Sequence, residues 1–564
     1  MSNQSEASIQ SLKPAALLRL LLKPDRAFYQ VGIVYSLAIS LLTLSVPIAV
    51  QTLINTVANV GSIKAVVVLS SLLGLLLLLS GLLSALRTHV MEFFERRLYT
   101  RLTAEVSLHT IYAQHKYFEG RRNTDITNRY FDIAVLQKNV PLLLVDGFAL
   151  VLQMLVGFTL VSFYHPAFLA FNIAIILCAM LIWFLWGRAA VNSAVVVSHA
   201  KYEMSKWLDS LAYAHEFFKS TRHIDYAVGR TDSLIGQYIS SRTEHFRLTF
   251  NQTLAFLALY ALASAALLGI GGYLVVIEQL SLGQLVAAEL ILSAILFALS
   301  KAVGYLKLYY ELCGAADELG QVLSIPQEES NASAPQVMQS SELEVKAVQL
   351  QELSISYQFN FTIPSDCKVL VQAEDHDAQR ALVYLLKRHL QPSQGWIQLA
   401  GTDLQDYDVY QLRQEIMVID TTAIIECTVA DYLSMACPGI SHTKMRNILE
   451  DVGLYSRLQA LPEGINTLIS PMGAPLSSLG FLRLKLAAAL LAKPRLLVLT
   501  DFFDLQRNED LEPLLTYLIS LPLSLMFFSE HEHAGFDQCL VLNRQQQWLA
   551  PLGEIDLTEG HTDA

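Results

Sequence analysis

Val369-Leu370-Val371-Gln372-Ala373-Glu374-Asp375-His376-Asp377-Ala378-Gln379-Arg380-Ala381-Leu382-Val383-Tyr384-Leu385-Leu386-Lys387-Arg388-His389-Leu390 is the stretch on which the reading of this chain depends. Its opening suits a buried strand, and from Ala378 the apolar residues recur at helical spacing, so it predicts a strand, a short turn and an amphipathic helix. That order is the frame of a phosphate-binding loop, in which a Gly-rich turn closes backbone N–H groups round phosphates. A Lys and a Ser/Thr then hold the phosphates and Mg²⁺. Counted back from Gln391-Pro392-Ser393-Gln394-Gly395, the Lys position falls on Gln379 and the hydroxyl position on Arg380. The cradle falls on Ala373-Glu374-Asp375-His376-Asp377-Ala378, where three carboxylates replace glycines. A carboxylate about 5 Å from a phosphate charge repels it by roughly 3 kcal/mol at an effective dielectric of about 20, and three would outweigh the anion-favouring helix N-terminus. The frame is kept, and the nucleotide chemistry is expected to be gone: no cofactor is called, with ATP and Mg²⁺ expected to bind poorly.

Outward from this stretch, the composition points to a membrane. Of 564 residues, 53% are hydrophobic and only 16% charged. Apolar runs of spanning length occur at about 31–53, 65–86, 141–163, 167–187, 254–277 and 283–300, where a span needs roughly 20 residues. Six membrane helices are therefore expected. Loop 88–139 carries Arg96, Arg97, Arg101, Lys116, Arg121, Arg122, Arg129 and Lys138, and 188–250 is as basic, whereas the short loops carry almost no Lys or Arg. The positive-inside rule then puts the long loops, both termini and the C-terminal half in the cytoplasm of a bacterial-type inner membrane. The first apolar run begins after thirty residues without a small-residue cleavage site, so no cleaved signal peptide is expected. A net charge of −12, with no basic stripe outside the membrane flanks, argues against nucleic acid as a partner. The six cysteines form no CxxC pair, and reduced thiols are expected.

Taken in order, residues 1–29 form an N-terminal segment whose Ile9–Leu22 stretch, with Lys13, Arg19, Lys23 and Arg26, suits either an interfacial helix or a frayed cytoplasmic tail. A membrane domain follows over 30–325. Loops 88–139 and 188–250 show helical spacing almost throughout, so the spans are expected to continue into the cytoplasm as long helices. Residues 326–343 are polar and Ser/Ala/Gln-rich, and read as a linker. In the soluble domain, 344–550, strand runs at Lys368–Val371, Leu496–Leu499, Leu525–Phe528 and Cys539–Leu542 alternate with helical stretches at 378–390, 444–453 and 479–492, which argues for a mostly parallel α/β sheet. Residues 551–564 are a tail.

The chain thus resembles a half-size exporter-type ABC transporter over about 30–550, six membrane helices followed by an α/β P-loop-like domain. The run from Phe118 through Thr124, Asp125 and Arg129 to Asp132 is similar to the family's Phe, Gly-Asp-Leu-x-x-Arg and Asp segment, with Thr124 at the usual Gly. Tyr357 sits where the family keeps an adenine-stacking aromatic. Gln391 to Gly401 matches the segment after a P-loop helix, and Leu476-Ser477-Ser478-Leu479-Gly480 tracks the signature into the Lys493-Pro494-Arg495-Leu496-Leu497-Val498-Leu499 approach to a Walker B strand.

The resemblance places the catalytic positions on residues that depart from its pattern. The Walker B aspartate is Thr500, the general-base glutamate is Asp501, the Q-loop glutamine falls on Asp420 or Thr421, and the switch histidine maps to Glu530, one residue before His531. Ser478 and Leu479 replace signature glycines that let backbone approach a phosphate closely. The implied site is vestigial, built from Tyr357, Ala373, His376, Ala378, Gln379, Arg380, Asp420, Ser477 and Gly480, with no catalytic residue and no metal expected. The implied function is a non-hydrolysing pseudo-transporter or regulatory and interaction subunit; the alternative is the non-catalytic half of a heterodimeric exporter. The implied partners are the lipid bilayer, a second copy or another ABC half-transporter, and a further membrane or periplasmic transport component. Asp146 and Glu289, ionisable groups inside apolar runs, read as helix-end carboxylates more readily than as a substrate path. His531-Glu532-His533 is too local to form a metal site unaided.

Overall fold

The computed structural model describes residues 13–43, 45–59, 63–118, 124–329, 340–352, 355–373, 376–505, 508–543 and 547–551. The chain divides into two compact units, Met1–Gln327 and Glu328–Ala564.

The first unit is helical: α1 Pro14–Leu22, α2 Arg26–Thr43, α3 Ser45–Asn59, α4 Ile63–Ile111, α5 His115–Phe118, α6 Thr124–Pro141, α7 Phe148–Ser162, α8 Pro166–Tyr213, α9 Thr221–Val276 and α10 Leu282–Leu323. Among the described residues, five helical stretches are long and apolar enough to cross a membrane: Val66–Ile111, Asn128–Ser162, Pro166–Tyr213, Thr221–Val276 and Gln284–Leu323. The first apolar run, 31–53, is helical on both sides of residue 44, which lies outside the described residues. With 49, 48 and 56 residues, α4, α8 and α9 run far beyond the roughly 20 a bilayer needs, as the helical spacing of the two long loops requires. Pro141 ends α6 without an N–H to give, and the chain passes through a π-helical segment, Leu142–Gly147, into α7. Where α7 meets α10, Gly157 is needed for closeness, since a Cβ there would lie 2.5 Å from Ile295 Cδ1.

Helix α1 departs from both expectations for the N-terminal segment. Its apolar face, Leu17, Leu18 and Leu21, is buried with Phe94 and Leu98 of α4 and Leu312 and Leu319 of α10. Asp25, just beyond it, is fully buried and held by Arg97 Nε at 3.2 Å and Arg101 Nη2 at 2.8 Å. The helix spends its apolar face on protein, and an ion-paired corner fixes its end.

The second unit contains β1 Leu343–Glu352, β2 Ile355–Ile363, β3 Lys368–Ala373, α11 His376–Leu386, β4 Gln394–Leu399, β5 Thr402–Asp403, α12 Val409–Glu415, β6 Ile416–Ile419, β7 Cys427–Thr428, α13 Val429–Ala436, α14 His442–Asp451, α15 Tyr455–Gln459, β8 Leu468–Ile469, α16 Ser478–Ala492, β9 Leu496–Leu499, α17 Asn508–Ile519, β10 Ser524–Phe528, β11 Gln538–Leu542 and β12 Gln547–Pro551. One sheet has the order β12-β11-β3-β10-β9-β6, parallel except for β12, and so gathers the four strand runs read from sequence. A second, antiparallel sheet, β2-β1-β4-β5, was not anticipated. In it Gly395 is obligatory: at φ +79° it faces a kink in β1, and a Cβ would sit 2.3 Å from Ala347 O. Helix α11 stops four residues short of the expected 390, because Arg388 turns left-handed at φ 55° and donates through Nη1 to Tyr407 O at 2.7 Å.

Candidate functional site

The phosphate-loop frame is present in the backbone. Ala373 ends β3 and α11 starts at His376; Glu374 and Asp375, two of the three carboxylates of the turn, lie outside the described residues. Ala378 is fully buried and Gln379 nearly so. Gln379 Nε2 donates to Asp501 Oδ1 at 3.3 Å, and His376 Nδ1 lies 3.0 Å from Asp501 Oδ2. Arg380 pairs with Asp377 at 3.4 Å, a surface contact. The residue at the Lys position and the residue at the general-base position are thus bonded to each other, with His376 on the second oxygen.

Strand β9 delivers the neighbouring groups. Thr500, buried, donates through Oγ1 to Ile419 O of β6 at 2.8 Å. Asp501 opens a 3₁₀ turn, Asp501–Leu505, that ends with Asp504 facing the switch segment. Asp504 Oδ2 accepts from the Glu530 N–H at 3.0 Å and lies 3.4 Å from His531 Nδ1. Its Oδ1 lies 3.4 Å from Nε2 of buried His533, whose Nδ1 is 3.1 Å from Glu512 Oε1. The two histidines are shared among carboxylates and not gathered on one point. Among the described residues no group of three or more His, Cys, Asp or Glu side chains is arranged to hold a metal ion.

Tyr357 is placed differently from the implied role. It is only 3% exposed, parallel to Phe359 at 6.2 Å between ring centroids, inside the core of the antiparallel sheet. A residue two places from another aromatic on one strand shares its face, and here that face is the buried one. Ser477 caps α16, accepting from Gly480 N at 3.2 Å.

Asp420, directly after β6, carries a partner that the motif positions did not anticipate. Lys485 of α16 reaches Asp420 Oδ1 at 2.9 Å and Asp420 O at 2.6 Å, and it also donates to Thr422 O and Oγ1 at 3.0 and 3.1 Å. Burial pushes the Asp420 carboxyl up, but the charges of Lys485 and Lys387 outweigh it and hold it below the usual range. Burial lowers Lys387 at the end of α11, and Asp420 only partly offsets this against the charges of Lys485 and Arg413. A lysine inside the apolar run Leu484-Lys485-Leu486-Ala487-Ala488-Ala489 was the available signal, because a buried ammonium requires acceptors.

In the first unit, the Phe118–Asp132 motif ties three helices. Arg129 of α6 pairs with Glu318 of α10 at 3.1 Å and donates to Gln321 Oε1 at 2.8 Å. Asp132 accepts from Tyr202 OH and from Lys201 Nζ of α8, the latter at 3.2 Å. Asp146 pairs with Arg87 at 3.3 Å, and Glu289 Oε1 accepts from Ser293 Oγ at 2.7 Å. All six cysteines are free.

Residues 30–299 match the family model of the ABC transporter transmembrane region. The chain is similar to the leukotoxin translocation ATP-binding protein LktB of Mannheimia glucosida, 21% identical over 489 residues, covering 84% of this chain and 68% of that protein. It is likewise similar to the exotoxin translocation ATP-binding protein PaxB of Pasteurella aerogenes, 22% identical over 501 residues, covering 85% and 68%. Among solved structures, a bacterial Atm1-family ABC exporter with ATP bound superposes with a TM-score of 0.80 at 15% identity, covering 93% of this chain and 96% of that one. That likeness shows the fold alone, the fold of an ABC exporter: a helical region with apolar helices followed by a sheet-containing domain.

Proposed function

We propose that this protein, with its ABC exporter fold, does not hydrolyse ATP, and that it acts as a pseudo-transporter whose ABC-like domain is kept as an interaction or regulatory module of a membrane transport system. The observation that carries this reading is the closure of the phosphate corner on its own side chains, Gln379 and His376 both on Asp501. A nucleotide would have to break both bonds and then face the carboxylates of Asp501 and Asp377 with an amide where a cation is needed. Thr500 commits its proton to a backbone carbonyl, and Tyr357 offers adenine no open face. These residues do not fit Mg·ATP. The fold itself is maintained, with every residue of β9 and β10 buried, and a kept fold around an altered site implies a binding surface. By this reading the chain shares with the translocation ATP-binding proteins their architecture and not their ATP chemistry.

A second observation favours assembly with another chain, either a second copy or the ATP-hydrolysing half of a heterodimeric exporter. Ile224, Val228, Ile235, Ile239, Phe246 and Phe250 form an exposed stripe on α9, spaced alternately by four and seven residues. The stripe precedes the apolar run at 254–277 and is interleaved with Arg222, Asp225, Arg230, Asp232, Arg242, Glu244 and Arg247, which puts it outside the hydrocarbon. A continuous apolar stripe in water calls for a protein partner. On the charge pattern of the long basic loops, we further propose a bacterial-type inner membrane with both termini cytoplasmic.

The test is turnover by the purified protein in lipid nanodiscs. No Mg²⁺-dependent phosphate release above a heat-denatured control is expected, and release that saturates with ATP would overturn the reading.

A further inference from the structure

The ammonium of Lys485 sits in an oxygen cage. Asp420 O, Asp420 Oδ1, Thr422 O and Thr422 Oγ1 surround it at 2.6, 2.9, 3.0 and 3.1 Å, and its side chain is nearly buried. An ammonium has three protons to give, so four oxygens saturate it much as an oxygen shell saturates a bare cation. All four come from one short turn, and the turn is folded for the purpose. Thr422 N donates to Asp420 Oδ1 at 3.0 Å and Thr422 Oγ1 to the same oxygen at 2.6 Å, leaving a hydroxyl lone pair for Lys485.

The position of this turn gives the cage its consequence. Ile419, the last residue of β6, has its carbonyl held by Thr500 Oγ1, and Asp420, the next residue, is held by Lys485. Ile419 and Asp420, the second of them at the expected Q-loop position, are therefore tied to Thr500, directly after β9, and to helix α16. Beyond them, 421–426 has no regular structure and is mostly exposed; Ile424 N, bonded to Pro471 O at 3.0 Å, is its next backbone anchor. Such a segment would otherwise be mobile.

We propose that Lys485 is a tethered cation that clamps the 420–422 turn to α16 and keeps this part of the ABC-like domain in one position whether or not nucleotide is present. This deepens the proposed reading of an ABC-like domain that does not hydrolyse ATP and is kept as an interaction or regulatory module, and rests on it.

Hydrogen exchange of the full-length protein in nanodiscs tests the clamp at the Thr422 and Ile424 amides. Lys485→Met should raise exchange in 420–424 by about tenfold or more while β3, β10 and β11 stay protected, as expected for loss of a local charge-assisted anchor. Lys485→Arg, which can still donate to the carboxylate, should restore protection. Lys485→Ala should recover it on adding propylammonium, which returns the missing cation to the cage. Unchanged exchange in Lys485→Met, no recovery with propylammonium, or a rise spread evenly over the central strands would each overturn the clamp, as would an ATP-dependent rise at 420–424 in the wild type. The exchange experiment on the variants uses no nucleotide, so its failure is separate from that of the preceding proposal, which is decided by ATP turnover and Mg·ATP binding.

Discussion

On the proposed reading, Gln379 is where, at the scale of one residue, the site is altered and the fold kept. Its amide keeps the helical position but reaches Asp501 at 3.3 Å, where a lysine would have faced phosphate. Gln379→Lys alone is therefore expected to leave the protein without Mg²⁺-dependent turnover, because the new ammonium would pair with Asp501, and Thr500 would still supply no carboxylate to a metal. Phosphate release in that single variant, measured against wild type, would show the site to be nearer to working order. Lys387 and Lys485 make a second comparison. Both face Asp420, but Lys485 takes the carboxylate, and Lys387 is left with burial and two neighbouring cations lowering it. A lysine whose folded value lies below its unfolded one destabilises the fold at neutral pH, and the penalty fades as pH rises toward about 10.4, where the unfolded chain also loses the proton. Lys387→Met should accordingly raise the melting temperature at pH 7, with a gain that shrinks by pH 10. A loss of stability at pH 7 would mean that Lys387 has a stabilising role.

At the scale of elements, much was legible because the signal was burial. Strand β9 is apolar at every position and β10 at every position but Ser524, both are buried throughout, and α16 follows its expected span within a residue. The antiparallel sheet was not legible: β1, Leu343–Glu352, mixes Glu, Lys and Gln with its apolar residues, and its alternation is broken at the kink opposite Gly395. The docking of α1 was also hidden, since an amphipathic helix reads alike whether lipid or protein covers it; what decides is Asp25, which sequence alone could not pair with Arg97 and Arg101. Asp25→Ala removes the buried carboxylate shared by Arg97 and Arg101, leaving Arg97 half exposed to solvent and Arg101 still bonded to Glu105 and Leu21 O, and should cost about 1–3 kcal/mol. Thermal unfolding in detergent should show it, with earlier proteolysis before α2. An unchanged melting temperature would mean that α1 contributes nothing to the first unit.

At the scale of the whole molecule, the order of membrane runs, linker and α/β domain could be read because each rests on composition over many residues. The site could be read only as positions along the chain. Which face of β2 Tyr357 occupies, and what fills the corner around Asp501, depend on packing that no motif encodes. The exposed α9 stripe belongs to this scale as well, because the partner proposed to cover it is a second chain. The central claim is that the corner has been turned inward, and the binding of Mg·ATP to the purified full-length protein tests it most directly. No saturable binding is predicted up to millimolar nucleotide; a dissociation constant below about 100 μM, roughly −5.5 kcal/mol, would contradict it.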